Sequence, residues 1–112
     1  MFFIISMVMI TGFTPFISAA SVSPSHQRLE GTSAYANWTF NWNVSGLHAI
    51  RLTPGDGTKT RLIDSSNGTG SRKINHEYVS TDVIKYYTAS FMAVSLVDGT
   101  AHIATANVTK AR

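Results

Sequence analysis

Four histidines (His26, His48, His76 and His102) and four aspartates (Asp56, Asp64, Asp82 and Asp98) are the side chains of this sequence with the widest chemical range. Two imidazoles bind a transition metal most readily at a short ligand spacing such as H-x-x-x-H. No pair here has such a spacing, so the histidines read as ordinary strand and surface residues. Paired carboxylates do acid–base work across a cleft of fixed width. The aspartates instead fall at expected turns and loop edges, where a carboxylate caps backbone N–H groups. A calcium site at the Asp56 turn is the cation reading that turn chemistry allows, because carboxylate and backbone oxygens converge there; the sparse acidic residues weigh against it. Serine and threonine are abundant, yet no G-x-S-x-G elbow occurs. Gly68-Thr69-Gly70 lacks the strand–helix setting of a phosphate loop. The chain has no cysteine, which removes thiol chemistry and disulfides together. The expectation is a protein that is not an enzyme, with no catalytic, cofactor or metal residue to assign.

Charge narrows the partners. The chain has 112 residues, enough for one domain, with nine basic and six acidic side chains and a net charge of +3. The basic residues are scattered, and Arg72-Lys73 is the longest run. A nucleic-acid face would gather them on one element, so none is expected. Residues 1–20 contain no charged side chain or histidine and are mostly apolar, with Gly12 and Pro15 interrupting the run. Ser18 and Ala20 stand at the -3 and -1 positions of a signal-peptidase site. Residues 1–20 therefore read as a signal peptide cleaved before Ser21, giving a secreted or surface location and only transient membrane contact. The usual basic start of such a segment is missing, which leaves a retained anchor as the alternative.

The elements that must position any site read as strands. Residues 21–29, with Pro24 and several serines over 21–27, are expected to be an extended linker or a loose first strand, and residues 30–112 the domain. In residues 34–44, Ala36, Trp38, Phe40, Trp42 and Val44 alternate with Asn37, Thr39, Asn41 and Asn43. That period of two marks a half-buried strand. Residues 47–53 and 59–63 flank the turn Pro54-Gly55-Asp56-Gly57 as a hairpin. Residues 65–71 read as a flexible loop and 73–79 as a short strand. Residues 86–97 and 101–109 form a second hairpin, with Asp98-Gly99 as a type I′ signal. No stretch beyond Ala20 shows helical periodicity. Strands at this spacing suggest a sandwich.

Four segments carry a resemblance. They are the 36–44 strand; Gly55-Asp56-Gly57-Thr58; Ile74-Asn75-His76-Glu77-Tyr78; and Tyr87-Thr88-Ala89-Ser90-Phe91 followed by Asp98-Gly99. Together they resemble the polycystic-kidney-disease (PKD) domain family, over roughly residues 30–110. The second matches its GDGT turn, the third its V-x-H-x-Y segment, the fourth its Y-x-V-x-L strand. Where the family has W-D-F before the turn, this chain has Leu52, Thr53 and Pro54. The resemblance implies an all-β, immunoglobulin-like antiparallel sandwich of about seven strands. It implies Gly55, Asp56 and Gly57 as a structural turn, and Trp38, Phe40, Trp42, Tyr78, Tyr87 and Phe91 as core. Tyr78 is placed to anchor a corner through its hydroxyl.

Asn37, Asn43, Asn67 and Asn107 open glycosylation sequons, all on expected outward faces or loops. The function expected is an exported, non-catalytic module that binds protein or polysaccharide at a cell or particle surface. The alternative is a structural subunit of a filament or virion, self-assembling through an edge strand or the N-terminal segment.

Overall fold

In a computed structural model the described residues are 19–79 and 83–111. The signal-peptide reading of residues 1–20 therefore lies outside them, except at Ala19 and Ala20, as does Asp82. Eight strands follow in order: β1 (Ala20–Ser23), β2 (His26–Leu29), β3 (Ser33–Trp42), β4 (Leu47–Thr53), β5 (Arg61–Asn67), β6 (Gly70–Val79), β7 (Lys85–Ser95) and β8 (Ala101–Lys110). They form a three-stranded sheet, β1-β3-β6, and a five-stranded sheet, β2-β8-β7-β4-β5. Two such layers make an all-β sandwich. The strand count among the described residues is eight rather than seven. The pairing is antiparallel except at β2 and β8, which run parallel.

Two of the strands come from the segment read as a linker or a loose first strand. Residues 21–29 are not a free spacer: β1 lies along β3, with Ala20 opposite Trp42, and β2 crosses to the other sheet, with His26 opposite Asn107. Both strands are short and their composition is too mixed for a period of two, so pairing rather than pattern places them. Where β1 leaves the edge of β3, the Gln27 amide takes its place. Its Nε2 donates to Asn37 O at 3.2 Å, and its Oε1 accepts from Asn37 N at 3.3 Å.

The loop expected at 65–71 is mostly strand. β5 runs on to Asn67 and β6 starts at Gly70, which leaves Gly68 and Thr69 to make the passage between sheets. Trp42 holds that passage: its Nε1 donates to Gly68 O at 3.0 Å and to Ser66 Oγ at 3.2 Å. A Cβ on Gly70 would lie 2.6 Å from the Trp42 ring, so only glycine lets the chain pass so close. β5 carries a register shift opposite Ile50 and Arg51. This bulge turns Ile63 towards the core and lets polar residues follow along the edge. The second hairpin turns over Leu96–Thr100, with Ser95 N to Thr100 O at 2.8 Å and Gly99 N to Ser95 O at 3.0 Å. It is thus wider than the two-residue turn that Asp98-Gly99 suggested.

The core lies between the sheets. Trp38, Phe40 and Trp42 of β3 face Ile50 and Leu52 of β4, and Ala89, Phe91 and Ala93 of β7, all buried. Trp38 meets Phe91 edge-on at 5.0 Å between ring centres, and Phe40 lies 5.6 Å from Phe91. These aromatic pairs bury large apolar area in favoured orientations. Leu52 and Pro54, where the resembling family has its tryptophan and phenylalanine, are also buried, and Trp38 supplies the indole from the facing sheet.

Candidate functional site

Polar groups gather at both ends of β4. At its C-terminal end the turn 54–58 folds onto β6. Asp56 Oδ1 accepts from Thr58 N at 3.0 Å and from Thr58 Oγ1 at 2.5 Å, while Asp56 Oδ2 meets His76 Nε2 at 2.8 Å. The Tyr78 hydroxyl donates to Pro54 O at 2.8 Å. His76 and Tyr78 project from the same face of β6, two residues apart, and their rings meet edge-on at 4.8 Å. Tyr87 of β7 stacks on Tyr78 at 5.0 Å. One edge of the smaller sheet is thereby fastened to the turn that leaves the larger one. Gly55 is pressed against β7, with φ +87° and the position of a Cβ only 2.2 Å from Thr88 O.

Partial burial opposes the Asp56 charge, but the Thr58 and His76 hydrogen bonds outweigh it and hold the carboxyl below its ordinary value. Burial pushes the Tyr78 hydroxyl well above the phenol range, with the Asp56 charge and Tyr87 acting in the same direction, so it remains a donor. The arrangement is a latch. Both Asp56 oxygens receive N–H or O–H donors, whereas a calcium ligand set needs free oxygens. His76 meets the acid through Nε2, and among the described residues no hydroxyl is bound to its other nitrogen. Among the described residues no group of three His, Cys, Asp or Glu side chains is placed to hold a metal.

The latch gives a test by pH. Because the folded-state value of Asp56 is depressed, its stabilisation is fully present above the ordinary carboxylate value of 3.8 and is lost as the pH falls through the lower folded value. Asp56→Asn is expected to lower stability at neutral pH and to flatten the loss of stability in acid. Urea melts between neutrality and about pH 3 check this.

At the opposite end of β4 the sheets part over a cleft of about 390 Å³, lined by Asn43, Val44, Ser45, His48, Ser95, Asp98, Thr100 and His102. His48 shares the inward face of Ile50 and Leu52, and His102 pairs with inward-facing Ala93. Their ring centres stand 6.1 Å apart. The Thr100 N–H, followed by the Thr100 and Ser95 hydroxyls, holds the Asp98 carboxyl below its ordinary value. Sequence spacing could not show this meeting: the residues belong to strands separated by β7, and only the register brings them together. A second feature is equally silent in sequence. Lys110 is fully buried, and its ammonium donates to Gly31 O and Ala111 O.

The sequon asparagines Asn37, Asn43, Asn67 and Asn107 are all exposed. Asn43 and Asn107 each accept a hydrogen bond from a threonine hydroxyl, of Thr69 at 2.9 Å and Thr88 at 3.2 Å respectively. On the outer face of the larger sheet, Leu62, Arg51, Met92 and Ile103 form one cross-strand row, with Leu62 57% and Ile103 56% exposed.

No family model matches the chain, and no curated protein matches it. Among solved structures it is similar to the ASH / PapD-like domain of human CEP192 (PapD-like domain 7), with a TM-score of 0.61 and 6% identity over 97% of this chain and 95% of that one. The fold is an immunoglobulin-like β-sandwich. At that identity the likeness speaks for the fold alone.

Proposed function

We propose that the chain is an exported, non-catalytic module of PKD type that works by contact, binding protein or polysaccharide at a cell or particle surface. The observation that carries this reading is how the reactive groups are engaged. Asp56, His76 and Tyr78 are tied to one another and to Pro54 as a corner fastening, while the outer face of the larger sheet presents exposed Leu62, Arg51 and Ile103 in one row with half-buried Met92. An apolar row beside a guanidinium suits a protein or saccharide contact. The GDGT turn with His76 and Tyr78 behind it supports the PKD assignment. Export rests on the uncharged segment 1–20. Removing that segment leaves Ser21, Val22 and Ser23 of β1 against Asn41, Phe40 and Thr39, so the processed chain keeps most of its first strand.

The full chain, expressed in a secreting host, is expected in the medium with Ser21 at its N-terminus and to co-sediment with the host's envelope fraction. Leu62→Ser/Ile103→Ser is expected to leave the melt unchanged and to abolish sedimentation. A chain held in the cell with Met1 intact would sink export. A double variant that sediments like the parent would sink contact through this face.

A further inference from the structure

We propose that the cleft at the open end of the sandwich binds a divalent transition-metal ion, zinc(II) foremost, between His48 and His102. The His48 Nδ1 lies 3.0 Å from Gly46 O. A carbonyl only accepts, so Nδ1 carries the proton, and the neutral ring presents its Nε2 lone pair. Metal-binding imidazoles are oriented in this way, with the second ring nitrogen donating to a backbone carbonyl, which fixes both tautomer and ring direction. The orienting bond is therefore already in place on a side chain only 4% exposed. Among the described residues, neither His48 Nε2 nor either nitrogen of His102 has a hydrogen-bond partner.

Geometry supports the pairing. Two imidazoles that share one zinc ion through ring nitrogens at about 2.0–2.1 Å hold their ring centres roughly 5–6 Å apart. The separation here is 6.1 Å, which a small turn of the partly buried His102 side chain brings into range. Asp98, on the rim of the same cleft, remains a carboxylate and draws cations towards it. No third His, Asp or Glu side chain completes the set among the described residues, so water fills the remaining positions. Zinc and its neighbours, rather than calcium or magnesium, suit nitrogen donors.

Zinc chloride titrated into the tag-free chain and followed by calorimetry is expected to show one site. His102→Gln, at a partly buried position, is expected to retain the parent's melt and to weaken binding by roughly tenfold or more, since even the partners that orient metal ligands cost 10–100-fold when lost. His26→Gln, on an exposed strand, is expected to bind as the parent does. In an NMR spectrum, substoichiometric copper(II) is expected to broaden the amide signals of His48, Ser95 and His102 first. Absence of saturable binding overturns the proposal. So does equal affinity in His102→Gln, or broadening centred on His26 or His76.

Discussion

Replacing Phe40 by alanine is expected to cost about 3–5 kcal/mol, the usual loss for a large aromatic removed from a packed interior. Phe40 is fully buried and touches rings on both sides, with Trp42 at 5.5 Å and Phe91 at 5.6 Å. Its neighbours are strand residues fixed by cross-strand pairing within each sheet, so the space cannot close by small shifts. A domain of this size with no cysteine to staple it has only modest stability to lose. Phe40→Ala is therefore expected to be largely unfolded at ambient temperature, and Phe40→Leu to remain folded with a reduced midpoint. Urea melts followed by tryptophan fluorescence check this. Equal midpoints for Phe40→Ala and the parent would place the core elsewhere.

The second large effect is expected at Gly55. Alanine there must hold a left-handed backbone at φ +87°, and its Cβ would sit 2.2 Å from Thr88 O, 3.0 Å from Thr88 C and 3.3 Å from Thr88 N. The obstacle is the backbone of β7, paired with β8 at Thr88, so it cannot swing away as a side-chain tip could. The conformational term costs roughly 1–2 kcal/mol, and forcing the strands apart adds about 1–3 kcal/mol. Gly57 separates the two terms. It also has positive φ, +94°, but nothing lies within 4 Å of its Cβ position. Gly57→Ala is expected to cost only the conformational term, and Gly55→Ala clearly more. Matching melts would refute the close approach. Because Pro54 O is the acceptor of the Tyr78 hydroxyl, the Gly55 variant should also loosen the corner. A shifted Tyr78 ring signal in NMR would report this.

The parts of this fold that were legible in the sequence are those where one residue type answers to one environment. Strand β3 announces itself because, over residues 36–42, its aromatic side chains go inwards and its asparagines go outwards. The Asp56 turn announces itself because Gly-Asp-Gly fits few other conformations. Strands β1 and β2 and the polar end of β5 did not, and for a common reason. Each lies at a sheet edge, where half of the backbone and most side chains face water, so burial writes no alternation into the sequence. The bulge at Ile63 also puts the later residues of β5 out of step. Among the polar groups, Asp56 and His76 each stand in a recognisable motif, though neither motif names the other as its partner, and His48 and His102 meet only through the stagger of three strands. No rule of spacing along the chain encodes such a stagger.

The parallel contact of β2 with β8 governs how the domain carries a mechanical load. Strands near the two ends of the described chain lie side by side and point the same way, with Arg28 opposite Thr109 and Leu29 opposite Lys110. Pulling Ala20 and Ala111 apart therefore drags one strand lengthwise along the other. The hydrogen bonds of the pair stretch together, instead of opening one after another like a zip. Strand β1, antiparallel to β3, adds a tie to the second sheet on the same path. Forced unfolding is governed by the height of the opening barrier rather than by equilibrium stability. The domain should thus resist tension better than its thermal melt suggests, and weakening substitutions in β2 or β8 should reduce rupture force more than equal losses of stability made in β5.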